Sequence, residues 1–268
     1  MSPILNKQRL TPDIALFEIE APRIAKRWKA GQFVIVRPRD DSERIPLTLV
    51  MSNAERGSIT LVVQAAGKTT KRMVAMEAGE ALADMVGPLG EPASTHSGGT
   101  VLCAAGGVGV AEVLPVAGAF RKAGCRVIAM CGARTDKLRI LDAQLQDAAD
   151  EVLWATDDGS VGFHGNVVQM MKQWPRPADL ALVHVIGPIP MMRAAAEATR
   201  PWGVPTYASL NPIMIDGTGM CGGCRISVGD EVKFACVDGP EFDAHKVDFD
   251  ELSRRNKAYC HFEQMAQA

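Results

Sequence analysis

Up to about residue 97 the chain alternates short apolar runs with turn formers. Residues 14–20, 32–37, 46–51 and 58–64 are rich in Val, Ile and Leu and are bounded by Gly, Pro, Asp or Asn. Such runs fit a pleated, half-buried surface, so each predicts a strand. Regular short strands of this kind predict a small β-barrel. From residue 98 the period changes: an apolar strand, a glycine-rich turn at Gly106, Gly107 and Gly109, and a helical stretch to Lys122 lead into a second strand at 126–131. Further strands at 151–156 and 180–186 alternate with helical stretches at 167–173 and 191–199, the order of a parallel sheet with crossover helices. The expected organisation is a β-barrel over 1–97, an α/β domain over 98–208 and a C-terminal segment over 209–268.

Composition narrows the function classes. The 268 residues suffice for two compact domains, and 29 basic against 31 acidic side chains leave a net charge of −2. That balance gives no electrostatic grip on nucleic acid or on an anionic membrane. No apolar run approaches the ~18 residues needed to span a bilayer, and residues 1–11 lack the apolar core of a signal peptide. A soluble, cytoplasmic protein with neither nucleic acid nor membrane as a partner is expected.

The candidate chemistry concentrates near the C-terminus. Three of the seven cysteines are Cys221, Cys224 and Cys236, a C-x2-C pair followed by a third thiol in the same stretch. Soft thiolates gathered this way suit an iron–sulfur cluster or a structural zinc, and spacing alone leaves both open. Asp216 precedes Cys221 by four intervening residues, so it stands where the plant-type 2Fe–2S pattern C-x4-C-x2-C has its first cysteine. Asp-Gly is also a common turn dipeptide, which gives Asp216 a second reading. Glycines at 217, 219, 222 and 223 let the backbone bring N–H groups close to cluster sulfides. A disulfide is disfavoured, because C-x2-C without a secretory signal points to a reducing compartment. Cys103, Cys125 and Cys131 lie in apolar strand contexts and read as small hydrophobes. Cys260, beside His261, is the rival cluster ligand to Asp216, and the mixed-charge stretch from 238 to 255 reads as a solvated helix or a tail lying on a partner.

Three stretches have the makings of phosphate sites. Arg44 precedes the hydroxyl of Thr48 by four residues, with Pro46 and Leu47 between them, and Gly67, Lys68, Thr69 and Thr70 directly follow another strand. A guanidinium, hydroxyls and freed N–H groups are what a diphosphate needs, although a solvated strand end would look the same. The turn Gly106-Gly107-Val108-Gly109 opens a helix after a buried strand, where phosphate approaches a helix N-terminus, yet it is not the G-x-G-x-x-G fingerprint. Gly187 and Pro188 end the strand at 180–186, the edge at which open α/β sheets bind ligands.

The order of these parts resembles the ferredoxin-reductase-like flavoproteins, here as a β-barrel plus α/β chain with a C-terminal iron–sulfur segment. More narrowly, it resembles the iron–sulfur electron-transfer subunits related to that of dihydroorotate dehydrogenase. Among these it is most similar to the small subunits, carrying FAD and a 2Fe–2S cluster, of NADH-dependent ferredoxin:NADP oxidoreductase, also described as sulfide dehydrogenase. The resemblance covers nearly the whole chain. It is carried by Thr156-Asp-Asp-Gly-Ser160, Ser209-Leu-Asn-Pro-Ile213, Asp216-Gly-Thr-Gly-Met-Cys-Gly-Gly-Cys224 and Phe234-Ala-Cys-Val-Asp-Gly-Pro240. The orotate-pathway relatives have cysteine where Asp216 stands, so this departure favours the small-subunit likeness.

The resemblance implies that Arg44 and Thr48 hold FAD, with Pro46 and Leu47 shaping its site and Gly67, Lys68, Thr69 and Thr70 adding diphosphate contacts. It implies that Gly106, Gly107, Val108 and Gly109 take the diphosphate of NAD(H), and that Gly187 and Pro188 lie near the nicotinamide. Asp216, Cys221, Cys224 and Cys236 would hold the 2Fe–2S cluster, and zinc recedes because it offers no one-electron outlet. Nicotinamide gives up two electrons together and such a cluster takes one, so flavin belongs between them. No side-chain acid or base is then expected; Asp157, Asp158 and His184 read as ribose or adenine contacts, as caps, or as filling. Arg134, just past a strand end, could meet a 2′-phosphate, but the resemblance favours NADH over NADPH. A larger flavin and iron–sulfur subunit is the implied partner, with ferredoxin reached through the complex and electron bifurcation open to it. The electron-transfer subunit of dihydroorotate dehydrogenase and a flavin and iron–sulfur redox-sensing module are the alternatives.

Overall fold

The structure, a computed structural model, describes residues 1–258; Cys260 and His261 lie outside the described residues. Among the described residues the chain divides into two compact units, one made of residues 1–92, 211–240 and 248–258, the other of 93–210 and 241–247.

In the first unit the strands are β1 (Ser2–Arg9), β2 (Ile14–Glu20), β3 (Phe33–Arg37), β4 (Ile45–Asn53), β5 (Ser58–Gln64), β6 (Ala81–Leu82) and β7 (Asp84–Leu89). They form one sheet in the order β6-β1-β2-β5-β4-β3-β7, every pair antiparallel. β6 and β7 lie at opposite ends of that order yet are joined through Ala83 alone. The sheet therefore curls until its edges meet, which is the expected barrel. Inward positions alternate along the strands, so Phe17, Ile19, Val34, Val36, Leu49, Ile59 and Leu61 fill the interior. A short helix, α1 (Pro22–Ala25), adds Ile24 to that core, and α2 (Lys68–Ala75) adds Met73 and Val74. β1 is a strand that apolar patterning misses: its side chains are mostly polar and only Ile4 is buried. It exists because β2 offers it a full antiparallel ladder.

The second unit holds β8 (Thr100–Gly106), α3 (Gly109–Lys122), β9 (Arg126–Ala133), α4 (Asp142–Ala148), β10 (Glu151–Thr156), β11 (Phe163–His164), α5 (Val167–Gln173), β12 (Leu180–Ile186), α6 (Ile189–Thr199) and β13 (Thr206–Ser209). The sheet order is β11-β10-β9-β8-β12-β13, followed by a last strand from 241–243 that pairs antiparallel with β13; the other pairs are parallel. β8 is central, and Val101 to Ala105 are wholly buried, as a strand covered on both faces requires. Its neighbours β9 and β12 are entered in opposite directions, which makes the carboxyl end of β8 the topological switch point.

The remainder of the chain serves both units. A hairpin of β14 (Arg225–Val228) and β15 (Glu231–Phe234), a single turn α7 (Ala235–Asp238) and the helix that ends the described chain belong to the first unit, whereas β16 (Glu241–Asp243) is the antiparallel edge strand of the second. That helix, α8 (Phe249–Asn256), is not a freely solvated tail. Asp248 caps it by accepting the Glu251 N–H at 2.8 Å, and Phe249 and Leu252 are buried.

Candidate functional site

The cysteine loop is built by the hairpin. β14 and β15 pair with Arg225 opposite Phe234, and the Ala235 N–H donates to the Cys224 carbonyl at 3.2 Å. Closing the ladder there brings Cys224 and Cys236 side by side, their Sγ atoms 3.2 Å apart, both buried and neither in a disulfide. Burial first, and then the neighbouring Cys224, pushes the Cys236 thiol up to about 12. Two thiolates on one tetrahedral metal at ~2.3 Å would stand roughly 3.8 Å apart, so a shift of a few tenths of an ångström on each side would admit an iron.

Asp216 and Cys221 form the other half. Asp216 accepts the Thr218 N–H through Oδ1 at 2.6 Å and the Cys221 N–H through Oδ2 at 2.7 Å. The Thr218 N–H foremost, with the Cys221 N–H behind it, holds this carboxyl below the ordinary carboxylate range. The Cys221 thiol is exposed, and the Gly223 N–H points at its Sγ from 3.5 Å. Among the described residues no group of three His, Cys, Asp or Glu side chains converges on one point. The donor set, three thiols and one carboxylate within one loop, still has the softness and charge an iron–sulfur centre uses.

The loop is seated against the barrel of its own unit. A Cβ on Gly217, whose φ is +81°, would stand 2.6 Å from Leu89 Cδ1 and 3.0 Å from Ile35 Cδ1, so the backbone beside Asp216 rests on β3 and β7. Glu91 donates its N–H to the Gly239 carbonyl at 2.6 Å on the far side of Cys236. α8 holds the loop from the other direction: Arg255 Nη2 donates to the Gly222 and Gly223 carbonyls at 3.4 and 3.3 Å, and Asn256 Nδ2 to the Asn211 carbonyl at 3.1 Å.

The stretch from Arg44 to Thr48 lies where β4 begins. Pro46 and Leu47 are half-buried, in contrast to Leu49 and Val50 just beyond them; Leu47 packs against the barrel core, and Pro46, on the other face, leaves an apolar strip open at this end of the strand. Arg44 Nη1 stands 3.4 Å from Asp84 Oδ2, while its Nε is buried without a partner. Arg37, on the adjacent strand opposite Asp84, has a buried, unpartnered Nε as well. Two guanidiniums with unspent donors beside an apolar strip fit a dinucleotide flavin. Gly67 precedes and Lys68 opens α2, so this candidate phosphate stretch is a helix start. The Thr70 hydroxyl turns back, accepting the Ala66 and Gly67 N–H groups at 3.0 and 2.9 Å and donating to the Gly67 carbonyl at 3.1 Å. That hydroxyl caps its own helix, which leaves Lys68 and the first-turn backbone as the groups facing outward.

In the second unit Gly106, Gly107, Val108 and Gly109 form the turn from β8 into α3 at the switch point, with the Gly107 N–H tied to the Gly132 carbonyl at 3.0 Å. Gly109 is the first residue of the helix, and a Cβ there would stand 2.7 Å from the Ile186 carbonyl oxygen. This glycine lets α3 approach the carboxyl end of β12, where Gly187 and Pro188 follow. Asp158 accepts the Ser160 N–H and hydroxyl at 3.0 and 2.6 Å, contacts that hold its carboxyl low and make it the keeper of its own turn. His184 is 1% exposed, with Nε2 at 2.8 Å from Glu241 Oε1 in a contact too poorly aligned for a hydrogen bond. It fills the sheet interior and cannot meet a ribose. The Arg134 side chain is exposed.

The structure thus gathers Cys224 with Cys236, Asp216 with Cys221, and Gly109 with the end of β12. It adds Ile35, Arg37, Arg255 and Asn256, which sequence reasoning missed. Only α8 had left a signal: Asp248, Phe249, Leu252 and Arg255 follow the order of a cap and one helical face.

Comparisons with known proteins agree with this layout. Residues 211–248 match the family described as the iron–sulfur cluster binding domain of dihydroorotate dehydrogenase B. The chain is 40% identical to the dihydroorotate dehydrogenase B (NAD(+)) electron transfer subunit homolog of Thermotoga maritima, over 97% of this chain and 92% of that one. A solved structure of an NADH-dependent reduced ferredoxin–NADP oxidoreductase superposes with a TM-score of 0.94 at 39% identity, over 99% of this chain and 96% of that one. A ferredoxin NADP+ reductase from Neisseria gonorrhoeae, solved with bound FAD and NADP, shares the fold at a TM-score of 0.60 and 15% identity, over 75% of this chain and 90% of that one. The architecture is therefore ferredoxin-reductase-like with an iron–sulfur segment, and the chain belongs to the family of dihydroorotate dehydrogenase B electron transfer subunits and their homologues.

Proposed function

We propose that this chain is the electron-transfer subunit of an NADH-linked oxidoreductase, passing electrons between NAD(H), FAD and a 2Fe–2S cluster to or from a larger flavin and iron–sulfur subunit. A ferredoxin:NADP oxidoreductase or sulfide dehydrogenase type of complex suits it best, with ferredoxin reached through the partner. One observation carries this reading. Pro46, in the strip read as the flavin site, pairs across the ladder with Ile35, and the Ile35 side chain meets the backbone at Gly217, next to Asp216. Directly paired residues project to the same face, so Pro46 and the Ile35 side chain on which the cysteine loop rests share one face of the barrel.

Bound in these sites, FAD would accept a hydride from a nicotinamide and release electrons singly to the cluster. The chain's own work is placement. Arg44 and Thr48 would hold FAD, with Arg37 helping to neutralise its diphosphate, while Pro46 and Leu47 would shape the site and Gly67, Lys68, Thr69 and Thr70 would add diphosphate contacts. Gly106, Gly107, Val108 and Gly109 would let the NAD diphosphate close on the start of α3, with Gly187 and Pro188 keeping the edge of β12 low beside the nicotinamide. Cys224 and Cys236 would serve one iron, Asp216 and Cys221 the other. Around them Met220, Ile215, Val232 and Val237 are exposed apolar residues, Met220 at 89%. Such residues gathered about a redox loop support docking of the larger subunit there.

Two outcomes separate this from a redox-sensing module. Steady oxidation of NADH by the purified chain with an artificial one-electron acceptor supports the electron-transfer reading. Reduction that stops after one equivalent, with acceptor still present, contradicts it. Co-purification of the native partner then distinguishes a ferredoxin-linked complex from a dihydroorotate-linked one.

A further inference from the structure

We propose that Arg255, on α8, is a positioning residue for the cluster: it fixes the Cys221–Cys224 turn and raises the cluster's reduction potential. The inference rests on reading the 216–236 loop as the cluster site, but Arg255 lies beyond the 211–248 segment that matches the iron–sulfur family.

The contact geometry is specific. Arg255 Nη2 donates to both the Gly222 and Gly223 carbonyls, on the two residues that lie between Cys221 and Cys224. The peptide that accepts through Gly222 O is the one whose N–H, on Gly223, points at Cys221 Sγ. A guanidinium pulling on the carbonyl polarises that peptide and strengthens the N–H donor at its other end. The chain of contacts therefore runs from a cation, through one peptide, to a ligand sulfur. Arg255 Nε is buried without a partner, and among the described residues Arg255 makes no ion pair with a carboxylate. An arginine serving only to finish a helix would spend its fork on the last carbonyls of that helix or on an acidic neighbour. This one spends it on the cysteine turn.

Asn256 repeats the arrangement at the other end of the loop by donating to Asn211 O, and Phe249 and Leu252 anchor the helix that presents both residues. α8 is thus a clip across the ends of the ligand loop. A cluster held by three thiolates and a carboxylate is anionic and gains one more negative charge on reduction. A nearby cation and a strengthened N–H···S contact both favour the reduced form, so both raise the potential.

The test compares wild type, Arg255→Gln and Arg255→Lys in the full chain. Iron and acid-labile sulfide are counted, the cluster's midpoint potential is measured, and iron release to a chelator is timed. Arg255→Gln is expected to titrate at a more negative potential and to release iron about tenfold faster, the scale of outer-shell losses at metal sites. Arg255→Lys, which keeps the charge but not the fork, is expected to hold a potential near wild type while releasing iron faster. Wild-type potential and release rate in Arg255→Gln overturn the inference. Should the glutamine variant not fold, wild-type iron release in Arg255→Lys overturns it instead. A wild type without iron and sulfide removes the ligand assignment and the inference together, whereas a wild-type cluster indifferent to both substitutions removes the inference alone.

Discussion

Arg44 separates binding from folding. Its side chain is 31% exposed and its ion pair with Asp84 spans 3.4 Å, so losing that pair costs the flavin-free protein under ~1 kcal/mol. Toward a diphosphate the same group makes charge-assisted hydrogen bonds of about 1.5–3 kcal/mol. Arg44→Ala is therefore expected to weaken FAD binding roughly ten- to a hundred-fold and to leave the melting temperature of the flavin-free protein nearly unchanged. Full flavin retention after dilution and gel filtration would count against the assignment. Gly109 and Gly187 make a second pair of expectations. A methyl at Gly109 meets the Ile186 backbone, which cannot yield, whereas a methyl at Gly187 meets Met191 Sδ at 2.7 Å, the end of a flexible side chain. Gly109→Ala should cost about 1–3 kcal/mol and lower Tm by several degrees, and Gly187→Ala should cost less. Equal losses in thermal melts would refute the backbone-approach argument. The candidate ligands stood out in the sequence because thiols held at a fixed short spacing point to a metal centre. Arg37 and Ile35 were not, since a strand-end arginine and a core isoleucine look alike wherever they occur, and only their cross-strand partners mark them.

Elements carry two further expectations. α8 holds to the first unit through Phe249 and Leu252, and Leu252 is 1% exposed. Leu252→Ala should lose about 2–5 kcal/mol of packing, felt first at the clip, so that chelator-accessible iron rises before the barrel melts. Simultaneous loss of iron and barrel would show that the helix has no separate role. In the second unit, His245 follows β16 and its Nε2 lies 3.0 Å from the Thr199 hydroxyl at the end of α6. Burial foremost, with Arg200 adding to it and Asp243 opposing, holds this imidazole below its ordinary value of 6.5. A depressed folded value means the unfolded chain binds the proton more readily, so this stability is present above pH ~6.5 and is lost as pH falls through the folded value. His245→Gln should flatten Tm against pH over that range; an unchanged profile would contradict the expectation. The α/β alternation was readable because β8, β9 and β12 are apolar but for Thr100, Arg126 and His184. β1 and β16 were not, because β1, held between β6 and β2, and the edge strand β16 take their order from neighbouring ladders rather than from their own side chains. The Thr70 hydroxyl is ambiguous in sequence for a related reason: a hydroxyl beside a glycine turn suits an anion or a helix start equally, and in the structure it meets the Gly67 N–H at the start of α2.

At the scale of the molecule, the sequence order of barrel, α/β sheet and cysteine loop conceals a redistribution. The cysteine loop belongs with the barrel, and β16 belongs with the α/β sheet. That arrangement seats the loop beside Asp216 on Ile35, which shares a barrel face with Pro46, and the account rests on electrons crossing between the two sites. The most direct measurement is an anaerobic NADH titration of the purified chain, followed by flavin absorbance and by the paramagnetic spectrum, in wild type, Asp216→Cys and Asp216→Ala. The account predicts flavin bleaching together with a reduced 2Fe–2S signal in wild type, a signal of altered shape in Asp216→Cys, and bleaching with little iron and no signal in Asp216→Ala. A wild type whose flavin bleaches while its cluster stays oxidised, or an Asp216→Ala variant with full iron and an unchanged spectrum, would contradict it.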